Sequence, residues 1–198
     1  MGNFKEKLED VIKNTFSILQ ELQEKKSQTR LKFPKYSNGR IRVSEQELRF
    51  LFVEQVQSLL KEYDYYYSVE TPTNQPYIFS LNGKKIRPIE DERGQSAAFD
   101  LTISDTSGKQ IAIIEFKAKS ADKHEIAKDF CKLFSANENG ELRYFLNLFE
   151  KITPATEKHF RNKLKESNEY WPKNKSDMNV IVMAYSLHKE DKNIILTI

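Results

Sequence analysis

Two apolar runs separated by a turn, in residues 97–119, constrain the fold of this 198-residue chain more than any other feature. Their sequence is AAFDLTISDTSGKQIAIIEFKAK. Side chains alternate between the two faces of a β-strand, so each run is predicted to be a strand with one apolar row. Gly108 lies in the turn, where a residue without Cβ favours a tight reversal. The segment is therefore predicted to be a pair of strands joined by a tight turn.

The register of the two strands decides which side chains share a face. A loop of two or four residues around residues 105–108 places Asp100 opposite Ile113. Asp100, Glu115 and Lys117 then share one face. The other face is apolar and consists of Phe99, Leu101, Ile114 and Phe116. A loop of three residues would shift one strand by one position and separate the charged side chains.

Two carboxylates and a lysine on one face can form a site that cleaves phosphodiesters. Mg²⁺ takes oxygen ligands and keeps several waters, and carboxylates also suit Mn²⁺. Asp100, Glu115 and the Phe116 carbonyl would supply ligands to either ion. The ion would lower the pKa of a bound water. Lys117 would orient that water and stabilise the charge that develops on the phosphate.

Residues 44–61 are predicted to form a helix that brings a third carboxylate to this face. Ser44 and Glu47 have the spacing of a capping box. The buried stripe of the helix is expected to be Leu48, Phe52, Val56 and Leu59. Glu47 and Glu54 lie about two turns apart on a neighbouring stripe, and either could complete the metal site. Glu70, at the end of the next predicted strand, is a further candidate.

The remaining segments predict a mixed α/β domain, with one sheet and helices on both faces. Helices are expected over residues 4–26, 122–136 and 153–167. Strands are expected over residues 63–70, 143–149, 180–187 and 194–198, and a hairpin over residues 77–88. Pro72 and Pro76 are expected to end the strand that begins at residue 63. Asn82-Gly83 is a strong signal for the turn of the hairpin.

The first helix has apolar residues at spacings of three and four. Its predicted stripe consists of Phe4, Leu8, Val11, Thr15, Ile18 and Leu22. One interpretation is a helix that lies on the surface of its own domain. The other is a short coiled coil with a second copy, which would make the protein a homodimer through this helix.

Basic residues flank the predicted site. The connector of residues 27–42 includes Arg42 and is either an arm that contacts phosphates or a solvated linker. The predicted hairpin carries Lys84, Lys85 and Arg87, and is either a flap over a nucleic-acid groove or a plain surface excursion. Lys119 continues the charged face and could contact a phosphate of the cleaved strand.

Composition excludes several classes of protein. No apolar run approaches the roughly 20 residues of a membrane span, and the N-terminus lacks the apolar core of a signal peptide. The single cysteine, Cys131, cannot form an internal disulfide, so a reducing, cytoplasmic location is expected. His124, His159 and His188 are scattered. A net charge of +3 is a mild indication of an anionic partner.

The arrangement Phe99-Asp100, fourteen residues, then Glu115-Phe116-Lys117 resembles the signature of the PD-(D/E)xK nuclease superfamily. These enzymes share the restriction-endonuclease-like fold. Their core order of helix, three strands, helix and strand matches residues 44–149. The resemblance implies metal-dependent hydrolysis of phosphodiesters, with catalytic roles for Asp100, Glu115 and Lys117. Phe99 stands where the family usually has proline.

Two regions and two functions follow as expectations. Residues 1–43 would be an N-terminal helix with a basic connector. Residues 44–198 would be the nuclease-like domain, with an insertion hairpin at about residues 71–96. The expected function is a nuclease that uses Mg²⁺ or Mn²⁺ and acts on nucleic acid, with DNA as the expected substrate. The alternative is a non-catalytic module that binds nucleic acid or oligomerises and retains the nuclease fold.

Overall fold

The computed structural model describes residues 2–22, 29–81, 83–171 and 177–198, without the side chains of Leu81, Lys85, Arg87 and Tyr170. Four α-helices lie in this part of the chain: α1 (Gly2–Glu21), α2 (Glu45–Tyr63), α3 (Lys123–Phe134) and α4 (Pro154–Ser167). The strands are β1 (Tyr66–Leu81), β2 (Lys84–Glu90), β3 (Gln95–Ser104), β4 (Gln110–Ala118), β5 (Leu142–Phe149), β6 (Val180–Ser186) and β7 (Ile194–Thr197). None of the helices in these ranges is long and apolar enough to cross a membrane.

The strands form one mixed sheet in the order β2-β1-β3-β4-β5-β6-β7. β4, β5 and β6 are parallel, and the other neighbours are antiparallel. Parallel neighbours need a crossover connection. α3 and α4 supply these connections, from β4 to β5 and from β5 to β6.

Two apolar cores hold the helices to the sheet. In the first core, α1 and α2 pack on side chains such as Leu101, Ile114 and Phe116. In the second core, α3 and α4 pack on side chains such as Ile113 and Phe145. The predicted mixed α/β domain, with helices on both faces of one sheet, is therefore confirmed.

α1 is part of the first core. Its buried residues are Phe4, Leu8, Ile12, Thr15, Phe16 and Leu19. The predicted stripe was right at Phe4, Leu8 and Thr15. Its other members, Val11, Ile18 and Leu22, are only partly buried against the core, because a straight helix of 3.6 residues per turn drifts away from a heptad repeat. Phe16 stacks on Tyr185 of β6 at 4.2 Å between ring centroids. α1 thus lies on its own domain, as the first interpretation expected, and the homodimer stays a prediction.

The connector between α1 and α2 is anchored by its apolar residues. Phe33 and Val43 are buried in the first core. The backbone reverses between them, where Lys35 pairs with Ile41 and the Arg42 N–H donates to the Pro34 carbonyl at 2.8 Å. This segment is a docked loop rather than a free linker.

β1 runs through both prolines, so the prediction that they end the strand was wrong. Pro72 pairs with Ala98 and Pro76 with Ser96, with a register shift between them. β2 pairs with β1 only from Tyr77 onward. At Pro72 no part of β2 pairs with the outer edge of β1. The missing N–H of proline therefore breaks no hydrogen bond between these two strands. The predicted hairpin is confirmed around Gly83, which has a φ of +73°; Asn82 lies outside the described residues.

The turn between β3 and β4 is longer than predicted. Ser104 pairs with Gln110, which leaves the five residues 105–109 in the turn. The Asp105 carboxylate stabilises this turn, because it accepts hydrogen bonds from the backbone N–H groups of Ser107 (2.9 Å) and Lys109 (3.0 Å). The predicted loop of two or four residues was wrong.

A β-bulge offsets the longer turn. Ile103 pairs with Ala112 while Ser104 pairs with Gln110, so Ile111 is the extra residue. Beyond the bulge, Thr102 pairs with Ile113 and Leu101 with Ile114. The predicted pairing of Asp100 with Ile113 was wrong by two positions, and a slip of two residues leaves the facing of a strand unchanged.

The ladder between β3 and β4 is continuous only as far as the pair of Leu101 and Ile114. Phe99 lies in the second core, whereas Leu101 lies in the first. The prediction that they share an apolar row was wrong, because β3 is irregular between them. At the same level of β1, Glu70 has a left-handed φ of +49°. This irregular end of the central strands is where the charged residues meet.

Candidate functional site

Seven charged side chains come together where β3 and β4 separate, between the first turns of α2 and the middle of α3. We call them the charged site. They are Glu45, Arg49, Asp100, Glu115, Lys117, Asp129 and Lys132. Four different elements contribute, so the group exists only in the folded chain.

Asp100 lies at the point where the strand ladder opens. Its Oδ2 accepts a hydrogen bond from the backbone N–H of Phe116 at 2.7 Å. Its Oδ1 is 3.9 Å from a guanidinium nitrogen of Arg49, which also pairs with Glu70 at 2.6 Å. One carboxylate oxygen is thus held by the neighbouring strand, while the other lies 3.9 Å from Arg49.

Glu115 is the most buried carboxylate of the charged site, with 1% of its surface exposed. It faces α3, where its carboxylate pairs with the ammonium of Lys132. Burial raises the pKa of the Glu115 carboxyl well above its usual range, although Lys132 opposes this shift. A buried carboxylate of this kind calls for a cation beside it.

Lys117 is held between the two helices that flank the sheet. Its Nζ is 2.9 Å from Asp129 Oδ2 on α3 and 3.9 Å from Glu45 Oε2 on α2. It also donates to the Phe116 carbonyl at 3.3 Å. Burial alone would lower the pKa of the Lys117 ammonium, but Asp129 and Glu115 outweigh burial and raise it. Lys117 therefore carries a positive charge at neutral pH.

Sequence reasoning missed the α2 residues that reach the site. Glu45, the first residue of α2, lies near Lys117, and burial raises the pKa of its carboxyl. Arg49 follows one turn later and contacts Asp100. The available signal was this spacing of four residues, which puts an acid and a base on one helix face.

Two α3 residues were also missed. Asp129 and Lys132 are 6% and 5% exposed, although both are charged. Asp129 lies among the apolar positions of the helix, three residues after Ile126 and four before Leu133. A charged residue on an apolar stripe was the signal that could have identified it.

The structure does not bring the two predicted α2 carboxylates to the charged site. Glu47 accepts a hydrogen bond from the Ser44 hydroxyl. The predicted capping box is absent at this helix start, since the Ser44 side chain makes no hydrogen bond to the α2 backbone. Glu54 is exposed and accepts from the Thr29 hydroxyl at 3.1 Å. Nine residues separate Glu54 from Glu45, which puts them on opposite sides of the helix.

Lys119 is the predicted nucleic-acid contact that lies next to the site. It is exposed just after β4, with a left-handed φ of +63°. Its Nζ is 3.4 Å from the Tyr36 hydroxyl, and 47% of the Tyr36 surface is exposed. Arg40 reaches Glu150, directly after β5, at 3.4 Å. The connector loop therefore lies over the same end of the sheet as Lys119.

The other predicted contacts are placed differently. Arg42 is exposed on the connector loop. Lys84 is exposed on β2, at the far edge of the sheet, with β1 and β3 between it and β4. The side chains of Lys85 and Arg87 lie outside the described residues.

The charged site contains oxygen atoms of the kind that bind hard divalent cations. The carboxylates of Asp100 and Glu115 and the Phe116 carbonyl are oxygen donors, which Mg²⁺ prefers. Four carboxylates stand against three cationic side chains, so one net negative charge remains when all are ionised. In the described ranges, no three Asp, Glu, His or Cys residues form a group that could hold a metal. These residues therefore fit an ion that takes two carboxylates and completes its shell with water.

Comparisons with known proteins add no assignment. A scan against protein-family models, a search of curated proteins and a search of solved structures each found no match to this chain. Any function for the chain must therefore be inferred from the charged site and its surroundings.

Proposed function

We propose that the protein is a nuclease that depends on a divalent metal and hydrolyses phosphodiester bonds of nucleic acid, with DNA as the expected substrate. One observation carries the proposal: Glu115 and Lys117 are linked through Asp129 and Lys132 by ion pairs where β3 and β4 separate, and Asp100 lies close enough to raise the pKa of the Glu115 carboxyl. The burial of charged side chains costs desolvation free energy. A buried charged cluster with perturbed pKa values therefore points to a ligand or a reaction.

The order of the elements supports a restriction-endonuclease-like fold for this nuclease. α2, β1, β3, β4, α3 and β5 follow the order of helix, three strands, helix and strand. The hairpin of late β1 and β2 is then an insertion at the sheet edge, and β6 and β7 extend the sheet on the other side.

The chain's own groups have distinct tasks in this mechanism. Asp100, Glu115 and the Phe116 carbonyl would hold the ion, which when bound lowers the pKa of a water and polarises the phosphate. Lys117 stays protonated, so it acts as a hydrogen-bond donor and not as a base. It orients the attacking water and stabilises the charge on the phosphate oxygens in the transition state. Asp129, at 2.9 Å, holds the Lys117 ammonium in position.

The surface beside the site supports a polyanionic substrate. Lys119 and Arg42 are exposed, and Tyr36 offers an exposed aromatic ring beside Lys119. Basic side chains position a nucleic-acid backbone, and an aromatic ring can stack on a base. The scissile phosphate would then lie at the opening between β3 and β4.

A cleavage assay tests the proposal. Purified protein is incubated with single-stranded and double-stranded DNA and RNA, with Mg²⁺, Mn²⁺ or EDTA. We expect cleavage that requires the metal and falls at least about a hundredfold in Asp100→Asn and Lys117→Met. Asp10→Asn and Lys13→Met, an exposed pair on α1, are the matched controls and should cleave normally. Undiminished cleavage by Asp100→Asn, or no cleavage of any substrate by the wild type, would overturn the proposal.

The second candidate is a non-catalytic module that binds nucleic acid. Lys132 favours it, because its ammonium already provides the buried Glu115 carboxylate with a cation. A Mn²⁺ titration separates the two candidates. Binding that is lost in Asp100→Asn supports the nuclease, whereas DNA binding without any Mn²⁺ binding supports the module.

A further inference from the structure

We propose that Lys132 is a built-in cation of the charged site, which holds Glu115 and restricts the site to one divalent ion per chain. The proposal rests on the nuclease function proposed above, because it concerns the metal that this function requires. It assigns a positioning role to a residue outside the three central charged side chains.

The surroundings of Lys132 resemble the coordination shell of an ion. Its ammonium contacts the Glu115 carboxylate, Asp129 Oδ1 at 3.3 Å and the Ala98 carbonyl at 2.8 Å. These three oxygens match the three N–H donors of an ammonium group. The ring of Phe99 lies 5.5 Å away, measured from Nζ to the ring centroid. The charge is thus enclosed by oxygens and an aromatic ring.

The position of this charge limits what else can bind. Lys132 is 5% exposed and comes from α3, so it is fixed by the packing of the second core. A metal ion bound to Glu115 on the side that faces α3 would meet this ammonium directly. The proposal therefore places a metal that binds Glu115 toward Asp100 and the Phe116 carbonyl.

The charge balance leads to the same number of ions. Four carboxylates and three cationic side chains leave one net negative charge. One divalent ion would change the net charge from one negative to one positive, whereas a second ion would make it three positive in a poorly solvated space. Without Lys132 the net charge would be two negative, so two ions would leave two positive charges instead of three.

Metal stoichiometry tests the proposal on the full chain without substrate. Mn²⁺ is titrated into the purified protein and followed by calorimetry. We expect one Mn²⁺ per chain for the wild type and for Lys132→Arg, which keeps the charge. We expect two for Lys132→Gln, because glutamine can still donate to Glu115 and Ala98 but leaves a vacancy for a cation. Lys128→Gln, an exposed position on the same helix, is the matched control and should bind one.

The outcomes separate this proposal from the proposed function. Two Mn²⁺ in the wild type, or still one in folded Lys132→Gln, would overturn the role of Lys132 while leaving nuclease activity intact. No Mn²⁺ binding together with no cleavage by the wild type would overturn both. A mere structural role for Lys132 would change stability but not the number of ions. Circular dichroism establishes that the variants are folded, and Lys132→Met serves as a second neutral variant if Lys132→Gln does not fold.

Discussion

Lys119 is a single residue with a strained backbone conformation. Its φ of +63° lies in the left-handed region, which costs a residue with a Cβ about 1–2 kcal/mol. β5 holds this conformation, because the Lys119 N–H donates to the Leu148 carbonyl at 2.7 Å and buried Asn147 donates to the Lys119 carbonyl at 3.1 Å. Glycine would fit here without strain, so the presence of lysine points to a use for its ammonium.

Replacement of Lys119 should therefore separate stability from binding. We expect Lys119→Gly to raise the free energy of unfolding by up to about 1 kcal/mol, since glycine adopts this conformation readily. The same variant should bind DNA more weakly, because it lacks the ammonium. Urea unfolding and a fluorescence-anisotropy titration with labelled DNA measure the two effects. Lys119→Arg, which keeps the charge and the strain, should match the wild type in both; a loss of stability in Lys119→Gly would contradict the prediction.

Glu138 is a buried carboxylate outside the charged site and allows a prediction about pH. It accepts hydrogen bonds from the Asn74 N–H at 3.0 and 3.2 Å, yet burial raises the pKa of its carboxyl above the ordinary 4.5. As pH rises, this group ionises first in the unfolded chain, which favours unfolding. Its contribution to stability is therefore present at low pH and is lost as pH rises from 4.5 through its raised pKa.

We expect the wild type to lose stability relative to Glu138→Gln as the pH increases from about 4 to about 7. Glutamine has the same shape and does not ionise, so it removes only the titration. Urea unfolding of both proteins at a series of pH values gives the difference. A constant difference across this range would show that the carboxyl titrates alike in both states.

At the scale of elements, the faces of α2 distinguish Glu45, which sequence reasoning missed, from Glu54, which it proposed. Glu45 points toward Lys117, whereas Glu54 is exposed and contacts Thr29. We expect Glu45→Gln to reduce metal-dependent cleavage about 10- to 100-fold, as the loss of a group that supports a metal site does. Glu54→Gln should stay within about twofold of the wild type. Initial cleavage rates at saturating metal measure both, and the reverse ranking would mean that α2 is rotated about its axis.

Elements with strong local signals were predicted well. The helices predicted over residues 122–136 and 153–167 are present as α3, which begins with the capping box of Asp122 and Glu125, and α4, which begins at Thr153 and Pro154. The end of β1 was predicted poorly. Whether the strand can continue through its prolines depends on where β2 stops pairing with it. The predicted Ser44 cap was wrong for a similar reason, since its hydroxyl donates to Glu47 and accepts no hydrogen bond from the α2 backbone. Such outcomes depend on neighbours that a local pattern does not contain.

At the scale of the whole molecule, a substitution in α1 tests whether this helix packs within its own chain or against a second copy. Ile12 is fully buried in the first core. We expect Ile12→Ala to lower the free energy of unfolding by about 2–5 kcal/mol, as truncation in a core does. The melting temperature of both proteins should not change with protein concentration, because the stripe packs inside the chain. A melting temperature that rises with concentration would instead indicate the dimer through α1.

The charged site shows how far sequence reasoning reaches for the molecule as a whole. Asp100, Glu115 and Lys117 were predicted to lie close together because they lie on two adjacent strands, although the predicted loop length, register and apolar row of those strands were wrong. Asp129 and Lys132 were missed, because no pattern within one element tells which sheet residue a helix will cover. Contacts between layers depend on how α2 and α3 pack on the sheet, and packing follows from both apolar cores together.

The bulge at Ile111 affects how the interval of fourteen residues between Asp100 and Glu115 should be interpreted. The interval is the sum of two ladder segments, the five-residue turn and one bulge residue. A turn of four residues without the bulge would shorten it from fourteen residues to twelve and preserve every facing. Loss of one residue alone would turn one strand over. Evolution can therefore lengthen or shorten this hairpin in steps of two, so related chains should be sought by the parity of the interval and not by its length.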